Sequence, residues 1–410
     1  MALLAASSLI TLGAAFTAMA DAGWEQDGTT WYYMDSKGDK VSDKWMTIGG
    51  KQYCFDSDGS MLYGWHMDGD YIYYLGDADD GAMKTGWLCL EYDEDNPPDE
   101  GDVSSGSTPG AGTEWFYFQS NGRAVKADDG DEYSAKTIND VKYYFDENGV
   151  MLTGWVAVTS AETYDASGIS KFKYFGDYSD GAMAKGWKYL TEHPSDSDDS
   201  DDLTLTGTEK PSSGEGFWYY FDNSGVPAYL ESNASTMSAA TTKVNGESYF
   251  FDEYGCMHSG LIGLVKEDGT ILSGYFGSSD SDGKMHTGKQ TAIQEDSGSS
   301  YTFYFTASGS NKGAGYTGEK DGYLYYNGKL VKADSGSEYE VFEVNDKFYL
   351  VNESGKVQTS NKCYKSDGEY QYEYASGTIY IIDSDKERQG TVSDGGTLPE
   401  ISFAETYDIM

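Results

Sequence analysis

Nine tryptophans and 36 tyrosines are the residues whose type could do chemistry in this sequence of 410 amino acids. The face of such a ring carries negative potential, so a pair of them attracts a quaternary ammonium and stacks equally well on the C–H face of a sugar. Core packing is the competing role, and in a thin repeat one ring can do both. All nine tryptophans lie at or before Trp218, which concentrates ligand capacity in the first half and leaves the later part as scaffold or as a surface for another partner.

Other chemistry has little to stand on. The four histidines are His66, His193, His258 and His286, and none falls near a Ser or Cys nucleophile motif or in a metal-ligand spacing. Carboxylates are so numerous that a glycosidase pair could be chosen at will, which empties the signal. Acidic clusters at Asp56 and Asp58, Asp77 to Asp80, Asp280 and Asp282, and 196–202 lack the spacing and distal Glu of a calcium-binding EF-hand, and the first three sit in turns, where Asp and Gly are ordinary. No catalytic residue, metal ligand or cofactor is therefore expected.

Charge narrows the partner classes. With 28 Lys and Arg against 69 Asp and Glu the net charge is −41, and a polyphosphate partner needs clustered cations to displace its counterions. Nucleic acid is excluded and anionic membrane surfaces are disfavoured. Residues 3–18 form an apolar stretch ending in Ala18-Met19-Ala20, read as a signal peptide over 1–20 with the mature chain starting near Asp21. No Lys or Arg precedes Lys37, so the basic flank of such signals is missing, as in a truncated start. No second apolar run reaches spanning length, so membrane insertion is not expected. Cys54, Cys89, Cys256 and Cys363 share no regular spacing and read as packing substitutions.

The aromatics recur with glycine. Gly-x-Met-x-x-Gly-Trp appears as Gly59-Met61-Gly64-Trp65, Gly81-Met83-Gly86-Trp87, Gly149-Met151-Gly154-Trp155 and Gly181-Met183-Gly186-Trp187; two further copies, at Gly255 and Gly283, lose the final Trp. Aromatic runs such as WYYMDSKG, YYFDENG and WYYFDNSG precede most of the first glycines. Two-residue turns at Gly49-Gly50, Asn139-Asp140, Asn245-Gly246 and Asn345-Asp346 favour type I′ hairpins, and Tyr/Phe runs favour strands. A lone hairpin is marginal in water, so each aromatic face must be covered by the next. The expectation is an all-β fold, a β-hairpin repeat solenoid.

Three hairpins make one block, giving a first block over 21–92, a second over 93–192 and a third over 193–294. A degenerate fourth block over 295–389 and a tail or cap over 390–410 complete the chain. Segments 91–113 and 191–216, rich in Asp, Ser, Gly and Pro, read as long acidic loops inserted into the first hairpins of the second and third blocks.

Gly-Trp, a turn, Trp-Tyr-Tyr/Phe and then Asp-x-x-Gly-x-Met-x-x-Gly-Trp resemble the cell-wall-binding repeats of Gram-positive bacteria. That superfamily includes choline-binding modules, glucan-binding repeats and the repetitive domains of large clostridial toxins. The resemblance extends to about Asp383. It implies attachment to cell-wall polysaccharide, to glucan or to choline on teichoic acid, and leaves that choice open. It also implies ligand sites built from aromatics between consecutive hairpins: Trp24, Trp65, Trp87, Trp155 and Trp187 at the Gly-Trp positions, with Trp31, Trp115 and Trp218 on the leading strands. Hairpins at Tyr71 to Leu75 and Phe172 to Phe175 lack the strand Trp. The implied protein is secreted, non-catalytic and held at the cell surface. Two alternatives stand beside it: an adhesive surface protein meeting a protein partner through the acidic loops, and the binding portion of a larger cell-wall hydrolase or glycosyltransferase.

Overall fold

The computed structural model describes residues 22–104, 112–158, 168–194, 211–231, 233–279 and 281–409. The signal-peptide stretch 1–20, Asp280, the acidic run 196–202 and the central parts of both inserted loops lie outside the described residues. The chain divides into two compact units, one to Leu152 and one from Thr153. Both are all-β.

Among its described residues the first unit holds five antiparallel hairpins in sequence. Gly23–Asp27 pairs with Thr30–Met34, Lys44–Ile48 with Lys51–Phe55, and Trp65–Asp68 with Tyr71–Tyr74. Gly86–Glu91 pairs with Thr113–Phe118 across the first inserted loop, and Ser134–Ile138 with Val141–Phe145. Both residues of the Gly49-Gly50 and Asn139-Asp140 turns have positive φ, the requirement of a type I′ connection. After each hairpin of the Asp-x-x-Gly kind, the aspartate caps the turn that follows. Asp56 Oδ1 accepts the N–H groups of Asp58 and Ser60 (2.9 and 2.7 Å), and Asp146 Oδ1 those of Asn148 and Val150 (2.9 and 2.7 Å). Part of the acidity is thus turn chemistry that recurs along the repeats, as at Asp56, Asp146 and Asp222.

The second unit begins with four more hairpins. Trp155–Ala157 pairs with Phe172–Tyr174, and Gly186–Leu190 with Phe217–Phe221 across the second inserted loop. Thr241–Val244 pairs with Glu247–Phe251, and Leu261–Lys266 with Ile271–Tyr275. Each of the last two carries a third strand, Met257–His258 in one and Thr406–Ile409 in the other, and beyond them the sheets broaden further. Residues from Gly288 to Leu330 form a five-stranded sheet, Tyr339–Val344 and Lys347–Asn352 a further hairpin, and the run from Lys362 to Thr391 a four-stranded meander. The strand-rich fourth block is therefore broader than a simple hairpin repeat.

The tail starts on the last strands, where Val392 packs beside Ile379 and Tyr364, and then runs back along its unit to pair Thr406–Ile409 in parallel with Leu261–Lys266 of the third block. Burial explains the path. Leu398 packs beside Leu324 and Phe342, Ile401 and Phe403 beside Phe303 and Phe305, and Tyr407 and Ile409 sit in the core formed by Phe250, Ile262 and Leu264. Lys329, nearly buried, pins this strap by donating to the Glu400 carbonyl (2.7 Å) while pairing with Glu295 (2.7 Å).

All four cysteines are free thiols. Burial raises the Cys54 thiol to about 11 and pushes Cys256 well above its ordinary range, as suits side chains that pack.

Candidate functional site

Three clusters share one geometry. At the first hairpin of each of the first three blocks, the Gly-Trp indole and the strand Trp face each other edge-to-face. Trp24 and Trp31 lie 6.4 Å apart at 89°, Trp87 and Trp115 6.4 Å at 82°, and Trp187 and Trp218 6.3 Å at 84°. A tyrosine of the next hairpin supplies a third wall 4.8 Å from the Gly-Trp indole: Tyr53, Tyr143 and Tyr249. A same-hairpin tyrosine (Tyr33, Tyr117 or Tyr220) braces that indole at 5.1 to 5.2 Å.

The strand register produces this. Trp24 stands opposite Tyr33 and Gln26 opposite Trp31, so both indoles leave the same face two residues apart. Met61 and Met151 pack with the first two clusters, and Met257 lines a 290 Å³ cavity with Trp187, Trp218 and Tyr249 in the third. All six indoles are half-buried. Each cluster is a three-walled aromatic cage with a thioether beside it. In the first, Trp31 Nε1–H points to Asp79 Oδ1 at 3.4 Å, placing a carboxylate at the cage edge.

Trp65 and Trp155 do not line such cages, which corrects the expectation for them. They are 2% and 5% exposed. Trp65 packs on Tyr74, Phe116 and Phe118, and Trp155 on Tyr174, Tyr219 and Phe221. At the strand-Trp position stand Ile72 and Phe172, and the phenol of the third wall becomes Phe116 in one copy.

The inserted loops complete the closure. Trp65 N–H donates to the Asp102 carbonyl (2.9 Å), Gly101 N–H donates to the Trp65 carbonyl (2.8 Å), and Glu100 meets His66 Nδ1 at 2.5 Å and Met67 N–H at 2.9 Å. Gly64 is required here: a Cβ on it would lie 2.1 Å from the Asp102 carbonyl oxygen. At the second copy, Trp155 Nε1–H donates to the Glu192 carbonyl (2.9 Å), while fully buried His193 bridges Tyr219 Oη (2.6 Å) and the Glu215 carbonyl (2.8 Å). In the third block Leu261 holds the equivalent place, and the C-terminal strap lies over it.

Sequence reasoning missed Tyr53, Tyr143 and Tyr249, the third walls, and Trp45, which packs on Tyr73 at 4.9 Å and His66 at 5.6 Å. The tyrosines open the YxF runs already visible in the repeat; Trp45 follows Lys44 where the other motifs have glycine. Among the described residues no group of three or more His, Cys, Asp or Glu is placed to hold a metal ion.

Comparison with known proteins matches the choline-binding repeat to residues 41–87 and 133–166, and the putative cell wall binding repeat to 22–40 and 216–226. Glucosyltransferase-I of Streptococcus downei is 25% identical over 286 residues, covering 56% of this chain and 16% of that protein. Glucosyltransferase-S of Streptococcus mutans serotype c is 24% identical over 366 residues, covering 84% of this chain and 21% of that protein. The chain thus spans about a fifth or less of the length of these relatives. Among solved structures, choline binding protein F of Streptococcus pneumoniae, crystallised in the presence of a peptidoglycan analogue, is 22% identical with a TM-score of 0.42, covering 84% of this chain and 98% of that one. The modular autolysin LytC of the same species is 18% identical with a TM-score of 0.34, covering 90% and 53%. The chain carries choline-binding and putative cell-wall-binding repeats, with aromatic clusters set between successive hairpins.

Proposed function

We propose that this chain is a secreted, non-catalytic attachment protein that holds bacterial cell-wall polymer through three aromatic cages, at Trp24/Trp31/Tyr53, Trp87/Trp115/Tyr143 and Trp187/Trp218/Tyr249. The observation that carries the reading is the threefold recurrence of the cage, with its key distances repeated to within 0.1 Å. The packed clusters at Trp65 and Trp155 recur as well, but only the three cages leave their indoles half-buried, where a ligand can reach them. Indole faces on two sides and a phenol on the third suit a trimethylammonium group, and Asp79 favours a cation at the first cage. Several weak sites on one chain gain avidity on a polymer well beyond any single contact.

The test is retention of the purified chain on a tertiary-amine resin. At a net charge of −41 the chain binds any cationic matrix, so the informative step is elution by free choline at an ionic strength where sodium chloride alone no longer releases it. Choline-specific elution is expected. Elution by salt alone, with no retention on isolated cell walls, would sink the proposal.

A further inference from the structure

The methionine of the Gly-x-Met motif has a fixed partner further along the chain. Five times among the described residues its thioether lies against a turn glycine: Met61 against Gly81, Met83 against Gly122, Met183 against Gly225, Met257 against Gly283 and Met285 against Gly313. A Cβ on any of these glycines would stand inside the methionine side chain, 2.6 Å from Met257 Sδ, 2.8 Å from Met183 Sδ and closer still to the other three sulfurs. All five glycines have positive φ, so each turn offers a bare Cα and the sulfur fills the space above it.

The backbone of the same residue is bonded in the other direction. Met61 N–H donates to the Trp31 carbonyl (2.7 Å), Met83 N–H to the Gln52 carbonyl (2.9 Å) and Met285 N–H to the Ser248 carbonyl (2.8 Å). Met83 therefore ties Lys51–Phe55 to the turn that follows Thr113–Phe118, and Met285 ties Glu247–Phe251 to the turn that follows Ser300–Phe305. A long, polarizable thioether suits such a joint because it adapts to an irregular gap without bringing a polar group into it.

Access separates the five. Met61, Met183 and Met257 are each 5% exposed. Met83, packed with Cys54, Tyr73 and Leu75, and Met285, packed on the core of Phe250 and Phe276, are only half-buried. Met67, outside these joints, is 42% exposed and serves as an internal control. Oxidation of a thioether follows its exposure, so the two half-buried joints are the ones an oxidant reaches without unfolding the chain.

We propose that Met83 and Met285 are sites of oxidation by hydrogen peroxide, and that their sulfoxides release the joints at Gly122 and Gly313. A sulfur lone pair attacks one peroxide oxygen and the O–O bond breaks. That oxygen stays on sulfur, and its proton passes to the departing hydroxide, which leaves as water. Sulfur is oxidised by two electrons and peroxide reduced by two. The product is a polar group that is drawn to water, away from the apolar cluster and the glycine. Neither residue walls a cage, so the inference stands or falls apart from ligand binding.

The full chain is treated with hydrogen peroxide, and oxygen uptake at each methionine is followed by peptide mass spectrometry beside hydrogen exchange. Met67, Met83 and Met285 are expected to gain oxygen before Met61, Met183 and Met257. Exchange protection is expected to fall about tenfold across Lys51–Phe55 and Glu247–Phe251, the scale of an ill-fitting group in a packed interior. It should return on treatment with methionine sulfoxide reductases and a dithiol reductant. Met67→Leu is expected to leave this response unchanged, whereas the folded pair Met83→Leu and Met285→Leu keeps its protection in peroxide. The order of oxidation and the rescue are read on the unsubstituted chain, so they decide the matter even where leucine disturbs folding. Met83 and Met285 oxidising no sooner than the three buried methionines overturns the inference, as does their full oxidation with protection unchanged, or an equal loss of protection in the folded leucine pair.

Discussion

Trp65→Ala and Trp155→Ala are expected to destabilise their units by on the order of 3–5 kcal/mol each, the range for deleting a buried large aromatic. Each indole is nearly inaccessible and contacts rings of two hairpins, so alanine leaves a cavity between hairpins that cannot collapse without moving both. The backbone bonds joining residues 101 and 102 to Trp65 lose their packing partner as well. Against a total stability of about 5–15 kcal/mol for an ordinary domain, such a loss takes a large share. Hydrogen exchange followed by mass spectrometry localises it: protection should fall across Trp65–Asp68 and Thr113–Phe118 in the first variant and across Trp155–Ala157 and Phe217–Phe221 in the second. Full protection with reduced ligand retention would return these two residues to the binding surface.

Comparable damage is expected from Tyr407→Ala, again about 3–5 kcal/mol, although this residue lies in a stretch that follows the last hairpin. Tyr407 is 5% exposed, its ring stands 4.8 Å from Phe250 and 5.3 Å from His258, and its strand covers Leu264. Glu405, two residues earlier, reaches His258 Nδ1 at 3.3 Å, and that imidazole also meets Asp252 at 2.8 Å. The last strand of the strap thus closes a core begun about 150 residues upstream, in the third block. Removing residues 404–410 should therefore strip exchange protection from Leu261–Lys266 before it affects Lys362–Ser366. Unaltered protection of Leu261–Lys266 in both variants would show that the strap is ornamental.

What was legible in the sequence was local. Type I′ turns at Gly49-Gly50 and Asn345-Asp346 could be read because few residues accept two successive positive φ angles. The aromatic runs gave strands by alternation; Trp24, Trp87 and Trp187 stood out behind a glycine, and Trp31, Trp115 and Trp218 at the head of an aromatic run. Closure was not legible. A run such as Asp-Glu-Gly-Asp from Asp99 looks like solvated loop, and only the fold brings its backbone to Trp65. The same holds for Glu192, whose carbonyl captures the Trp155 indole. The strap had a trace in Thr406-Tyr407-Asp408-Ile409, where exposed and buried residues alternate, but four residues are too few to separate a strand from chance.

The central claim is that three half-buried cages, and not the tryptophans beneath the loops, hold cell-wall polymer. It is tested most directly by sedimentation with isolated Gram-positive cell walls, comparing the unsubstituted chain with a variant carrying Trp31→Ala, Trp115→Ala and Trp218→Ala, each checked for unchanged thermal unfolding. Loss of co-sedimentation to the level of an acidic control protein, with the unfolding transitions kept, is the predicted result. Undiminished co-sedimentation of the folded triple variant would contradict it and place attachment elsewhere on the chain.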